Sequence, residues 1–124
     1  MLTRRLAALA LLSAPLVLGA PAAFAQGKQD FTLVNRTGYV IEEVYVSPTH
    51  ASQWGNDILG EGVLNNGATK QIRFSRSAQT CNWDLRVVYD DKSDAVWEGF
   101  NLCEVSKITI RYNRSSGVTS AETE

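Results

Sequence analysis

The chain has 124 residues, with 12 Lys and Arg against 13 Asp and Glu, a formal net charge of −1, one histidine and two cysteines. That length supports a single domain, and the balanced charge excludes the basic footprint of a nucleic-acid-binding protein. One histidine and two widely spaced cysteines also exclude a four-ligand zinc site.

The first twenty-five residues have the three-part layout of an export signal. Arg4 and Arg5 form the positive start, Leu6 to Gly19 the apolar middle, and Pro21 a helix break. Ala23-Phe24-Ala25 then places small residues where a signal peptidase reads. The apolar run is interrupted by Pro15 and is shorter than the roughly 20 residues a membrane anchor needs. Residues 1–25 are therefore expected to be removed, leaving a product with no membrane span in the periplasm or outside the cell. Thr3-Arg4-Arg5-Leu6 fits a twin-arginine address as well as the general route, and both stay open. Losing Arg4 and Arg5 leaves the mature chain mildly acidic, with no basic cluster for anionic lipid.

Gln26 to Asp30 is a polar lead-in, and residues 26–112 read as one β domain. Phe31 to Asn35 alternates apolar and polar residues as a first strand, and Arg36-Thr37-Gly38 is a turn. Tyr39 to Val46 is a second strand, where the Glu42-Glu43 pair breaks strict alternation and points to a bulge. Ser47 to Asn66 is a long connection. It holds Trp54, Ile58, Leu59, Val63 and Leu64, too much apolar material to stay unpacked, with a helical turn expected near Ser52 to Leu59. Asn65-Asn66-Gly67 is a turn, and Lys70 to Phe74 a third strand.

Two further strands flank the turn Asp90-Asp91-Lys92-Ser93-Asp94. Folding the chain about Lys92 sets Cys81 opposite Cys103, Arg86 opposite Glu98, Val87 opposite Trp97 and Val88 opposite Val96. One face then carries Cys81, Trp83, Leu85, Val87 and Trp97. Phe100 and Leu102 fall on the other face unless Gly99 hosts a bulge. Paired cysteines in an exported chain read as a disulfide, Cys81–Cys103. Lys107 to Tyr112 is the last strand, and residues 113–124 are a polar, mobile tail. About six short strands without helices predict an all-β domain, a compact antiparallel sandwich or else a small barrel.

No catalytic constellation is recognisable. There is no nucleophile elbow, and His50 has no partner fixed by spacing. Asp84 and Glu98 are the pair a small carboxylate hydrolase would use, although the expected register commits Glu98 to Arg86. The three carboxylates of Asp90 to Asp94 suit calcium, but turn chemistry explains Asp and Ser there without a metal. No cofactor is implied. Trp83 and Trp97 read as core residues. Trp54 lies in the long loop, where His50, Asn56 and Asp57 accompany it as candidate binding residues.

The ordered series Asn35-x-Thr37-Gly38, Val44-Tyr45-Val46-Ser47-Pro48, Trp54-Gly55 and Cys81-x-x-Asp84-Leu85-Arg86 resembles a group of small exported bacterial β-rich proteins of unknown function. The resemblance spans nearly the whole mature chain. It implies a secreted β domain and supplies no catalytic or binding residues. The reading that follows is a non-enzymatic interaction module for an envelope protein or a glycan. The alternatives are a small secreted hydrolase and a calcium-stabilised structural protein.

Overall fold

A computed structural model describes residues 29–74 and 79–124; residues 1–25, expected from the sequence to be an export signal, lie outside them. Seven strands form in chain order: β1 Phe31–Arg36, β2 Ile41–Pro48, β3 Thr69–Ile72, β4 Asn82–Tyr89, β5 Asp94–Asn101, β6 Lys107–Asn113 and β7 Val118–Thr123. They make two sheets, β3-β1-β6-β7 and β2-β4-β5, so the architecture is a sandwich and not a closed barrel. Pairing is antiparallel except between β1 and β6, which run parallel from Thr32↔Lys107 to Arg36↔Arg111. Among the described residues there is no helix, and none long and apolar enough to cross a membrane.

Alternation builds the core. Leu33, Ile41, Val44, Val87, Ile108 and Ile110 are each fully buried between the sheets. Burying a side chain of this size is worth about 1.5–3 kcal/mol. Trp83, Trp97 and Phe100 pack against the same cluster from β4 and β5. The Cys81–Cys103 disulfide forms as expected, with Cα atoms 5.2 Å apart across a separation of 22 residues. It marks an oxidising, exported location and adds about 3 kcal/mol by chain-entropy reasoning.

Both expected bulges are present. On β2 the pairing steps from Ile41↔Tyr89 to Glu43↔Val88, leaving Glu42 extra. On β5 it steps from Leu85↔Trp97 to Trp83↔Phe100, so Glu98 and Gly99 both face Asp84. Gly99 has φ 77°, the left-handed region that glycine enters freely. This bulge returns Phe100 to the core side.

The hairpin register differs from the expected one. Arg86 faces Val96 and Val88 faces Asp94, so Arg86 pairs with Asp94 at 3.0 Å and not with Glu98. The cause is a tight turn. Asp91 accepts from Ser93 N at 2.9 Å, Tyr89 N donates to Ser93 O at 2.8 Å, and Lys92 adopts φ 75°. Strand pairing therefore begins at Asp94, and the Gly99 bulge makes up part of the offset before the disulfide.

Two further expectations are corrected. Residues 113–124 are not a mobile tail, because Val118–Thr123 pairs with β6 from Asn113↔Val118 to Ile108↔Thr123. Asn113 Oδ1 accepts from Ser115 N and Ser116 N and shapes the turn between the two strands. Ala121 reaches the core cluster from β7. The long loop contains turns over residues 57–62, with Gly60 N donating to Asp57 O and Gly62 N to Leu59 O, where a helical turn was expected. It is packed down nonetheless. Leu64 bridges Ile41, and Ile58 and Leu59 lie on the core.

Candidate functional site

The long loop begins beside the start of β4, where Thr49 N donates to Asn82 O, and returns along β2, bonded at Val44 and Ile41. Ser47 Oγ donates to Gln53 O, and Thr49 Oγ1 donates to Asp84 Oδ1 at 2.8 Å, which pins the first part of the loop to the sheet. Asp84 Oδ1 also accepts from Gly99 N at 2.9 Å. Loop, strand and bulge therefore meet at one carboxylate.

Trp54 sits over this junction. It lines a hollow of about 170 Å³ with Ser47, Gln53, Asp84 and Glu98. Trp83 and Trp97 both pack against the core cluster, and Trp54 does not. The hollow thus combines one half-buried aromatic face with two carboxylates and neighbouring hydroxyl and amide groups. Glu98 is exposed and has no ion pair among the described residues, because Asp94 takes Arg86.

The other candidates from the loop do not join Trp54. His50 is exposed in a turn, with φ 79°. Asn56 is exposed as well. Asp57 serves the backbone: its Oδ1 accepts from Val44 N at 2.8 Å and Leu59 N at 3.0 Å, tying the loop to β2. Its own hollow, shared with Glu42, Glu43 and Glu61, is a separate one. The carboxylates beside Trp54, Asp84 and Glu98, come from the β4–β5 ladder. The Cys81-x-x-Asp84 spacing carries Asp84, but Glu98 joins it only through the bulge.

Most side chains of the Asp90–Asp94 turn are engaged, within the turn or with the flanking strands. Asp91 is bound by the Ser93 hydroxyl and N–H, which hold its carboxyl below the usual range. Lys92 bridges to Glu42, and Asp94 to Arg86. Among the described residues no three His, Cys, Asp or Glu side chains gather as a metal cluster would.

At the far end of β4, Tyr39, Tyr89 and Tyr112 pack together with ring centroids 5.6–6.4 Å apart. The Tyr89 hydroxyl is buried without a hydrogen-bond partner. Burial pushes its pKa up to about 12.

No protein-family model matches the chain, and no curated protein sequence matches it. It is similar in fold to a protein from Eubacterium rectale whose structure was determined by NMR. The two share 12% identity at a TM-score of 0.55, over 85% of this chain and 94% of the other. At that identity the likeness speaks for the fold alone.

Proposed function

We propose that this is an exported, non-enzymatic binding module, periplasmic or extracellular, that recognises a glycan through the Trp54 hollow. The observation that carries the reading is the separate position of Trp54. Two tryptophans are spent on the core, and the third lines a hollow beside the carboxylates of Asp84 and Glu98. An aromatic face offers apolar contact to the C–H side of a sugar ring, while carboxylate and amide groups accept and donate to its hydroxyls. The rigid sheet below and the Asp84 anchor hold these groups in place before a ligand arrives.

The test is a fluorescence and melting titration of the full chain with soluble peptidoglycan fragments and neutral oligosaccharides. Saturable quenching that disappears in Trp54→Ala supports the reading. No response to any of these sugars, or an unchanged response in Trp54→Ala, removes it.

One observation favours a second reading. Asp84 and Glu98 line the same hollow, and Glu98 is not neutralised by a cation there, so a carboxylate hydrolase has its two acids side by side. Release of reducing ends from the same oligosaccharides, abolished in Glu98→Gln, would favour that alternative over simple binding.

A further inference from the structure

We infer that the chain carries a second site, for a phosphate group, on the outer end of the four-stranded sheet. Arg36 and Arg111 are direct register partners on the parallel strands β1 and β6. Adjacent strands lie about 4.8 Å apart, and both residues are exposed. Like charges at neighbouring ladder positions oppose folding, and only Arg111 of the two has an acidic partner among the described residues, Glu122.

A third guanidinium completes the arrangement. Arg114 comes from the β6–β7 turn, with its Cζ 4.4 Å from the centre of the Tyr39 ring and its Nη2 donating to Gly38 O at 3.4 Å. Stacking on the ring orients the guanidinium plane and leaves its charge in place. Arg36, Arg111 and Arg114 line a hollow of about 390 Å³ together with Gly38, Asn66 and Tyr112. Asn66 Oδ1 accepts from Gly38 N at 2.8 Å, and its NH₂ group has no acceptor among the described residues.

Charge identifies the ligand class. No acidic residue is among the described residues lining the hollow. Glu122 pairs with Arg111 from β7, while Arg36 and Arg114 have no ion pair among the described residues. Two positive charges are left in excess on a protein whose net charge is −1. A phosphate monoester carries roughly −1.5 to −2 near neutral pH, and its oxygens match the guanidinium fork bidentately. The size of the hollow leaves room for what the phosphate is attached to. Free phosphate and a phosphorylated sugar present the same group.

The site is tested by amide chemical-shift titration of the full chain at constant ionic strength. The probes are inorganic phosphate, glucose 1-phosphate and, as control, chloride. Saturable shifts are expected around residues 36–38, 66–67 and 111–114, with affinity falling about tenfold or more in Arg36→Gln and in Arg114→Gln. Arg36→Lys should restore only part of it, because an ammonium lacks the fork. Trp54→Ala should leave the binding unchanged, which separates this site from the proposed glycan hollow. Tighter binding of glucose 1-phosphate supports the site with a phosphorylated sugar as ligand, and equal or tighter binding of inorganic phosphate supports it with the free anion. An equal response to chloride, binding of neither phosphate, or unaltered affinity in both glutamine variants overturns it.

Discussion

Asp84 holds Gly99 across the β4–β5 ladder, its Oδ1 accepting the Gly99 N–H at 2.9 Å at the point where β5 carries one residue more than β4. The same oxygen accepts the Thr49 hydroxyl at 2.8 Å. A bulge leaves a backbone donor outside the regular pairing, and here a side chain supplies the acceptor. Asp84→Ala removes that acceptor and the loop tether together, and should cost about 1–3 kcal/mol in urea unfolding. Gly99→Ala acts on the backbone instead, forcing a β-carbon onto φ 77°, and should cost about 1 kcal/mol or more. A Gly99→Ala protein as stable as the parent would show that the bulge relaxes without strain.

The three tryptophans should separate by stability. Trp83 packs edge-on against Phe74 at 4.6 Å, and its Nε1 donates to Thr80 O at 2.9 Å. Trp83→Ala is expected to cost about 3 kcal/mol and to lower the melting temperature by something on the order of 10 °C. Trp54→Ala removes no core contact and should cost less than about 1.5 kcal/mol, within the ordinary range for single substitutions. Equal losses in the two variants would make Trp54 a core residue and take away the basis for a binding hollow.

Local pattern carried much of the fold into view. Alternation at Phe31 to Asn35 and Lys107 to Tyr112 marks strands whose apolar positions Phe31, Leu33, Ile108 and Ile110 enter the core, although Val34 and Thr109 on the opposite face are buried as well. Glycine at position 99 marked a bulge because few other residues tolerate its backbone conformation. The pairing register of the hairpin was less legible. A single fold axis through Lys92 ignores both the extra residue at the bulge and the hydrogen bonds of Asp91 to Ser93, which start β5 at Asp94. β7 escaped notice because Val118-Thr-Ser-Ala-Glu-Thr has only Val118 and Ala121 as apolar residues. Pairing with β6, and not its own hydrophobicity, makes it a strand.

The candidate sites divide along the same line. Trp54 was visible as an aromatic residue in a long loop. Of its neighbours, Glu98 reaches the hollow only through the bulge, and the Asp57 carboxylate holds backbone instead. The convergence of Arg36, Arg111 and Arg114 needs the parallel β1–β6 pairing. Arg36 is so far from Arg111 and Arg114 in the chain that no local signal marks them as neighbours.

Asn35 gives the Asn35-x-Thr37-Gly38 sequence a structural meaning. The side chain is fully buried, its Nδ2 donates to Tyr39 O and Leu64 O, and its Oδ1 accepts from Thr37 N and Thr37 Oγ1. It therefore ties the β1–β2 turn to the end of the long loop. Asn35→Ala leaves several buried groups unpaired and should cost about 3 kcal/mol or more. Asn35→Asp keeps the acceptor but loses both donors and turns a carboxylate toward two carbonyls. That variant should lose further stability as pH rises above about 4, where an ordinary Asp ionises. A pH-independent Asn35→Asp would mean that the turn opens and lets water in.

Tyr89 provides a pH test of the tyrosine cluster. Its pKa rises from 10.0 to about 12 in the folded chain, chiefly through burial. The unfolded chain therefore gives up this proton first. Between about pH 10 and 12 the folded state holds more protons than the unfolded one, so stability falls as pH rises through that window. The contribution is fully present below pH 10 and gone above 12. Tyr89→Phe removes a buried hydroxyl that has no hydrogen-bond partner, so it should cost little or even stabilise at neutral pH. It should also flatten the alkaline decline relative to the parent, measured by urea unfolding at successive pH values. Tyr45, raised mainly by its hydrogen bond to Glu43 on an exposed face, remains in both proteins and cancels from the comparison. An identical alkaline slope in the two proteins would mean that Tyr89 ionises without leaving the fold, and that the cluster is open to water.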